Sequence, residues 1–233
     1  MRVVLLHGHM RKGSTYHISR VLVEKIRGIT QLDEIFLPNV IKNGCLGCYR
    51  CIKDETKCPY YEAKSGIMKV VEEADILIFT TPTYCMAPSA QLKAFMDLTF
   101  TYWLSHKPRK WMFDKKAVVI STCAGTGSKK AIEPVARMLF YWGVPKIYKY
   151  GISVQAMSWD GVKDKTTQKI YKDMECLAKR LSAKKAPLVG IRTKAMFNLM
   201  RMMQNMNMGS GPDERRYWED MGWLGKDRPW KKK

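Results

Sequence analysis

The chain has 233 residues, of which 46% are hydrophobic, and this size and composition are typical of one globular domain with decorations. No apolar run approaches the roughly 18–20 residues of a membrane span, and the first residues lack the long apolar segment of a signal peptide, so we expect a cytoplasmic protein rather than a membrane or secreted one. The net charge of +20 favours anionic partners, although the basic residues are scattered along the chain and are equally typical of a solvated basic surface.

Short apolar runs alternate with amphipathic segments along the first 181 residues. Apolar residues such as Ile18, Val21 and Leu22 recur at helical spacing in the first of these segments. In chain order we predict a strand over 3–6, a helix over 14–27, a strand over 32–37, a helix over 63–73, a strand over 75–80, a helix over 88–103, a strand over 116–122, a helix over 128–142, a strand over 147–154 and a helix over 162–181. The fifth strand is more polar than the others and is predicted at an edge.

Strands that alternate with helices predict an α/β fold in which helices cover both faces of a parallel sheet. Five strands in about 180 residues fit the flavodoxin-like order 2-1-3-4-5, a three-layer sandwich, better than the longer six-stranded dinucleotide fold. We therefore predict one flavodoxin-like domain over residues 1–184, with a cysteine-rich loop over 38–62.

The last 49 residues, 185–233, differ in composition and are predicted to be a helical arm rather than a second domain. Residues 195–208 hold six of the sixteen methionines and predict a Met-rich helix. The tail adds four large aromatic residues, which are Tyr217, Trp218, Trp223 and Trp230. Methionine fills irregular apolar interfaces, so we expect the arm to pack across a partner in a homodimer; docking to nucleic acid or an anionic membrane is the less favoured alternative.

In a sheet of order 2-1-3-4-5, ligands bind outside the carboxyl ends of the strands, between the first and third strands. The loop after the first strand is rich in small, basic and hydroxyl-bearing residues and leads into a helix; the candidate ligand-binding residues there are His9, Arg11, Lys12, Gly13, Ser14 and Thr15. Helix N–H groups and hydroxyl donors at such a place bind phosphate. The alternative is an ordinary helix N-cap. The spacing fits neither a Walker A loop nor a GxGxxG fingerprint.

Two further loops are expected at the same edge of the sheet. The loop after the third strand supplies Pro82, Thr83, Tyr84, Cys85 and Met86, and the loop after the fourth strand supplies Thr122, Ala124, Gly125, Thr126 and Gly127. Glycines allow the backbone to run close to a flat ring. Core packing is the alternative for the aromatic side chain of Tyr84. The chain shows no Ser-His-Asp set or paired carboxylates, and we assign no catalytic side chain, including His7 and His17.

Two of these segments, GHMRKGSTYHI and TPTYCMAPSAQLKAFMDL, resemble the two signatures of the NAD(P)H-dependent FMN reductase and flavodoxin-like oxidoreductase family. The resemblance covers about residues 1–150 and departs from the family at His9, Ser14 and Met86 or Ala87. It implies one bound FMN, with its phosphate at the loop after the first strand and its isoalloxazine at the loop after the third. It also implies NAD(P)H as co-substrate. FMN is favoured over FAD because the flavodoxin-like pocket ends at one phosphate.

Four of the seven cysteines, Cys45, Cys48, Cys51 and Cys58, fall within fourteen residues. Three cysteines in CxxC steps followed by a distal Cys-Pro are similar to ferredoxin-type ligation of a [4Fe-4S] cluster, and the pattern resembles that of the iron–sulfur flavoproteins of the same family. Zinc, a disulfide and reduced thiols remain open as alternatives. The loop follows the second strand, so we expect it at the same edge as the flavin.

We therefore expect an FMN-dependent oxidoreductase that transfers electrons from NAD(P)H to a small acceptor such as a quinone, nitro compound or disulfide. The first alternative is an iron–sulfur flavoprotein that carries electrons received from ferredoxin, for which a basic surface is suitable. The second is a basic binding module. Steady-state oxidation of NADPH separates the first two, because a carrier would turn over poorly with it.

Overall fold

The computed structural model describes residues 1–183 and 186–231. Its sheet has five parallel strands in the order β2-β1-β3-β4-β5. The strands are β1 (Arg2–His7), β2 (Gln31–Phe36), β3 (Ile76–Pro82), β4 (Lys116–Cys123) and β5 (Lys146–Ser153). The predicted α/β fold and strand order are confirmed.

Helices follow the strands and cover both faces of the sheet. The described helices are α1 (Ser14–Lys25), α2 (Leu37–Val40), α3 (Arg50–Lys53), α4 (Tyr61–Glu73), α5 (Ala90–Leu98), α6 (Ser128–Tyr141), α7 (Asp164–Leu181), α8 (Ile191–Asn205) and α9 (Pro212–Asp220). Short 3₁₀ turns lie at Glu55–Lys57, Phe100–Tyr102 and Lys110–Asp114.

The core has two layers because side chains alternate between the faces of each strand. Val4 and Leu6 of β1 pack on one face with residues of α4, α5 and α6. Val3 and Leu5 pack on the other face with α1 and α7. The three central strands are buried almost throughout, whereas β2 and β5 are half-buried edge strands. The predicted edge position of the fifth strand is therefore confirmed.

One predicted helix is shorter than expected. The pattern over 88–103 gives only α5 (Ala90–Leu98), followed by a 3₁₀ turn. The buried hydroxyl of Thr99 donates hydrogen bonds to the carbonyl oxygens of Phe95 and Met96 at 2.9 and 3.1 Å. This hydroxyl competes with backbone amides for the same carbonyl oxygens, which is consistent with the α-helix ending here.

The arm folds back onto its own domain. The predicted Met-rich helix is observed as α8, and the predicted boundary between residues 184 and 185 lies outside the described residues. Phe197, Trp218 and Trp223 are buried against Leu104 and Phe113 of the domain. The largest aromatic rings of the arm are therefore buried within one chain. They no longer support the expectation that the arm packs across a partner in a dimer. Among the described helices, none has the length and apolar character needed to cross a bilayer.

Candidate functional site

Loops from the carboxyl ends of β1, β3, β4 and β5 border one cleft of about 230 Å³. Most of the predicted ligand-binding residues lie on its wall, namely His9, Arg11, Gly13, Ser14, Thr15, Pro82, Thr83, Tyr84, Thr122 and Ala124. The remaining predicted residues, which are Lys12, Cys85, Met86, Gly125, Thr126 and Gly127, belong to the same loops but do not border the cleft. The predicted convergence of three loops is thus observed.

Seven further residues border the cleft and were not predicted from the sequence. They are His7, Tyr16, Thr80, Cys123, Val154, Ala156 and Met157. The last three follow β5, which pairs with β4 and so ends at the same edge of the sheet. The predicted strand order already puts the carboxyl end of β5 at this edge of the sheet. The loop after β5 could therefore have been predicted as part of the site from that order.

The N-terminus of α1 opens into the cleft without a side-chain cap. Gly13 is the N-cap residue, and the first helical bond is donated by the amide of His17 to the carbonyl of Gly13 at 3.1 Å. The amides of Ser14, Thr15 and Tyr16 therefore have no partner within the helix. Because neither Ser14 nor Thr15 caps the helix, the alternative of an ordinary N-cap does not describe this loop. The arrangement suits an anion.

Side-chain bonds join the β1 loop to its neighbours. The hydroxyl of Ser89 donates to the carbonyl of Gly8 at 2.6 Å, and the Arg11 guanidinium donates to the carbonyl of Met157. A Cβ on Gly8 would lie 2.5 Å from the Ser89 oxygen, so only glycine fits this approach. The β1 loop is thus fixed to the segments after β3 and β5.

The loop after β3 makes a tight turn in which Tyr84 and Ala87 exchange backbone hydrogen bonds of 3.1 and 2.8 Å. Its two central residues, Cys85 and Met86, have φ values of 49° and 60°. Glycine or asparagine normally takes such left-handed positions, and strain of this kind concentrates at functional sites. Met86 packs over Gly127, where a Cβ would lie 2.4 Å from the methionine sulfur.

Tyr84 does not pack in the core. Its side chain is 49% exposed, and its hydroxyl lies 3.1 Å from Nε2 of His9 across the cleft. The core-packing alternative for Tyr84 is therefore wrong. Tyr84 and His9 thus present aromatic surface beside the uncapped N-terminus of α1. A ligand with a flat ring and an anionic group needs both features in one site.

His7 lies at the floor of the cleft and is 2% exposed. Its Nδ1 lies 2.8 Å from the Thr80 hydroxyl and its Nε2 lies 2.9 Å from Glu34. Burial lowers the pKa of His7, although the hydrogen bond and charge of Glu34 oppose the shift. Burial thus favours the neutral form of the ring, which stacks on Phe36.

The four clustered cysteines border a second cavity, of about 280 Å³, together with Asp97, Leu98 and Phe100. Cys45 and Cys48 are exposed, Cys58 is half-buried and Cys51 is buried. All seven cysteines lie in the described ranges and are free thiols. Burial raises the pKa of the Cys51 thiol; the charge of Lys64 opposes this rise, whereas Cys58 and Cys45 add to it.

The cysteine cavity offers four sulfur donors but no preformed site for a single metal ion among the described residues. Within residues 1–183 and 186–231, no three His, Cys, Asp or Glu side chains converge closely enough to hold one metal ion. A zinc ion requires its sulfur ligands at about 2.3 Å. Four thiols around one open cavity instead have the donor set that an iron–sulfur cluster uses.

The position of this cavity corrects one expectation. The cysteine loop leaves the sheet at the carboxyl edge, as predicted, but its cavity lies against the C-terminal end of α5. Ser89, next to the cleft, precedes the other end of this helix. A nine-residue helix is roughly 13 Å long, so the two cavities do not share one loop edge.

Comparisons with known proteins identify a matching family model and solved structures of similar fold. The family model described as NADPH-dependent FMN reductase matches residues 1–156. An FMN-dependent NADH-azoreductase from Bacillus anthracis, solved in complex with FMN, matches with a TM-score of 0.60 and 15% identity and covers 78% of this chain and 100% of that chain. At this identity the likeness shows the fold alone.

Two curated relatives are named iron-sulfur flavoproteins. The one from Methanocaldococcus jannaschii is 37% identical over 100 residues, which are 42% of this chain and 51% of the relative. The one from Archaeoglobus fulgidus is 27% identical over 158 residues, which are 66% of this chain and 70% of the relative. The chain thus aligns with about half the length of the first relative and with a larger share of the second.

Proposed function

The chain belongs to the NADPH-dependent FMN reductase family, and from this membership we propose that it binds one FMN in the cleft and transfers electrons from NAD(P)H to a small acceptor. The uncapped N-terminus of α1, which opens between four converging loops, is the observation that carries the proposal. Helix amides and dipole stabilise a phosphate there.

The phosphate would accept hydrogen bonds from the amides and hydroxyls of Ser14 and Thr15, with positive charge from Arg11 and Lys12. Arg11 already contacts the loop after β5, so its guanidinium can close the phosphate end of the cleft. No described residue on the cleft wall is an aspartate or glutamate, so no carboxylate there opposes the phosphate. Gly13 has space around it and tolerates a close approach by the ligand.

The isoalloxazine ring would lie between the loops after β3 and β4. Tyr84 and His9 offer aromatic surface, and Pro82, Thr83, Cys85 and Met86 form the turn beside it. Thr122 and the backbone of residues 124–127 would border the other side. When bound, FMN supplies the hydride and electron chemistry, and the protein positions the ring and tunes it. Both ring nitrogens of His7 already lie within hydrogen-bonding distance of Thr80 and Glu34, so we assign no proton transfer to it.

Titration with FMN and with riboflavin tests the phosphate contact directly. Both compounds carry the isoalloxazine, but only FMN carries the phosphate. If the α1 N-terminus binds the phosphate, FMN binds at least tenfold more tightly than riboflavin, and high salt reduces the difference. Equal affinities would remove the assigned role of Arg11, Lys12, Gly13, Ser14 and Thr15.

A second candidate function is that of an iron–sulfur flavoprotein, an electron carrier that receives electrons from an acidic ferredoxin. It is favoured by the single cavity that Cys45, Cys48, Cys51 and Cys58 border. The two curated relatives carry that name. Iron and sulfide measured after anaerobic reconstitution, beside a Cys48→Ala variant, test ligation by this loop. No iron, or equal iron in the variant, would reject it.

We also retain the homodimer as a proposal, now supported by exposed methionines rather than aromatic residues. Met202, Met206 and Met208 of the arm are 52%, 60% and 58% exposed. Contiguous exposed apolar side chains are a common feature of protein interfaces. The arm, residues 185–233, is accordingly proposed as the dimer contact, and a nucleic-acid or membrane partner is not favoured.

A further inference from the structure

The segment between α5 and β4 lies between the cysteine loop and the arm. On one side, the ring of Phe100 packs edge-on against Tyr49 of the cysteine loop, with ring centroids 6.3 Å apart, and both residues border the cysteine cavity. On the other side, the indole of Trp218 in the arm donates to the carbonyl of His106 at 2.6 Å. Helix α3 of the cysteine loop also lies close to α9 of the arm. The cysteine loop and the arm are therefore joined through one short segment.

Arg109 of this segment contacts both neighbours. Its guanidinium donates a hydrogen bond to a carboxylate oxygen of Glu55, which lies in the cysteine loop. The guanidinium carbon lies 4.5 Å from the ring centroid of Tyr102 and 5.5 Å from that of Tyr217 of α9. The hydroxyl of Tyr217 donates to the carbonyl of Pro108, next to Arg109. Two aromatic rings thus hold the cation in place, and its charge-assisted bond fixes the carboxylate.

Glu55 connects this cation to the backbone of a cysteine. Its side chain faces a separate cavity of about 510 Å³, which Tyr102 and Arg109 also border. Tyr102 donates to the carboxylate at 3.3 Å, and Nζ of Lys64 lies 3.6 Å from it. The backbone carbonyl of Glu55 accepts a hydrogen bond from the amide of Cys58 at 3.1 Å. Cys58 borders the cysteine cavity, so a contact that holds Glu55 also holds the backbone of this cysteine.

The rest of the cysteine loop is weakly held. Residues 42–50 are all exposed, and Tyr49 has a left-handed φ of 55°. A segment with few buried contacts opens locally at a low cost in free energy. The contacts at its buried end therefore determine how often the thiols leave their places around the cavity.

We propose that Arg109 is a positioning residue through which the arm holds the cysteine loop, and with it the four thiols, around the cysteine cavity. Loss of Arg109, or of its contact with Tyr217, lets the loop open more often while the sheet stays folded. The consequence for iron binding rests on the second candidate function, whereas the consequence for the thiols does not.

Thiol labelling of the reduced, iron-free, full-length protein tests the proposal. The rate at which iodoacetamide labels each cysteine is followed by peptide mass spectrometry. Cys51 of the loop and Cys123 of β4 are both buried, so they report separately the opening of the loop and of the sheet. We expect Arg109→Gln and Tyr217→Leu each to raise the Cys51 rate about tenfold and to leave the Cys123 rate within about twofold, because labelling of a buried group follows its local opening.

Arg215→Gln is the matched control, because Arg215 lies on the same helix as Tyr217 and its described hydrogen bonds stay within the arm. The control should leave the Cys51 rate unchanged. An unchanged Cys51 rate in Arg109→Gln or in Tyr217→Leu, or a rise that Cys123 or the control shares, overturns the proposal. If Arg109→Gln does not fold, Tyr217→Leu decides.

Iron bound after anaerobic reconstitution with ferrous iron and sulfide separates the proposal from the second candidate function. Where the wild type binds iron, Arg109→Gln should retain less of it than Arg215→Gln. Equal iron in the two variants overturns the positioning role, because the thiols then converge without Arg109. A wild-type protein that binds no iron rejects the second candidate function and leaves the labelling rates to decide the proposal.

Discussion

The hydroxyl groups of Thr15 and Thr122 share a hydrogen bond across 107 residues of sequence. Thr15 lies in the first turn of α1, and Thr122 lies near the end of β4. The bond joins the proposed phosphate end of the cleft to the loop proposed for the ring. Because Ser89 and Arg11 make similar bridges, the cleft is preformed, and little ordering is required when a ligand binds.

Replacing Ser14 with aspartate should abolish tight FMN binding. The new carboxylate would lie against the phosphate, where like charges at about 4 Å repel by roughly 4 kcal/mol at intermediate dielectric. We expect a loss of about a hundredfold or more in affinity by flavin titration. An acidic residue in the first turn stabilises a helix, so folding should persist.

Ser14→Asn is the matched control for this change, because asparagine has the same shape as aspartate without the charge. We expect its affinity for FMN to stay within about tenfold of the wild type. If Ser14→Asp binds FMN as tightly as Ser14→Asn, the N-terminus of α1 is not the phosphate site.

Gly8→Ala should destabilise the protein. Its Cβ would lie 2.5 Å from the Ser89 oxygen, 3.0 Å from Cβ of Leu92 and 3.1 Å from the carbonyl oxygen of Thr80. Overpacking of this kind costs about 1–3 kcal/mol of unfolding free energy, measured by urea denaturation. Gly66→Ala in α4 meets nothing within 4 Å and should stabilise by up to about 1 kcal/mol. Equal effects in both variants would mean that the Ser89 bridge does not constrain Gly8.

The sequence was sufficient to predict the strands and the longer helices of the domain, but not the short helices α2 and α3 or the contacts between loops. Apolar periodicity located all five strands, and the order of the sheet brought the three predicted loops to one edge. The packing of Met86 over Gly127 depends on a turn with two left-handed residues that are not glycine. No local propensity predicts such a turn, because tertiary contacts stabilise it.

The position of the cysteine loop also could not be predicted from the sequence alone. Its spacing predicted that four thiols share a site, and they do border one cavity. The cavity borders Leu98 and Phe100 at the C-terminal end of α5, and the length of the loop does not determine this position.

The contact between the arm and the domain should stabilise the protein less as the pH falls. The carboxylate of Glu214 is 1% exposed and lies 2.6 Å from Nδ1 of His106 of the domain. Burial would raise the pKa of Glu214, but hydrogen bonds from His106 and the Ser210 amide lower it below its ordinary value. A lowered carboxyl pKa gives stability that is present above the unfolded pKa, near 4.5, and is lost as pH falls through the folded value.

Thermal unfolding measured between pH 7 and pH 3 tests this linkage. Glu214→Gln should lower the melting temperature at pH 7 and weaken its dependence on pH below the ordinary carboxyl pKa. Asp220→Asn is the matched control, because Asp220 is an exposed acid on the same helix, α9. A pH profile of Glu214→Gln parallel to that of the wild type would show that this carboxylate does not contribute.

Met202→Glu should convert the proposed dimer to a monomer. Met202 is 52% exposed on α8, and a buried glutamate at an interface is costly without a partner. Light scattering gives the mass directly. Tyr171→Glu, at a 44% exposed position on α7, is the control and should leave the mass unchanged. A dimer that survives Met202→Glu would move the interface away from this part of the arm.

The central claim, one FMN held at the carboxyl edge of the sheet, is tested most directly by identifying the flavin itself. The purified protein is saturated with a mixture of FMN and FAD, freed of unbound flavin and denatured, and the released flavin is chromatographed and quantified against protein. We expect FMN at about one per chain, because a cleft that ends at the N-terminus of α1 accommodates one phosphate. Release of FAD, or of no flavin at all, would contradict it.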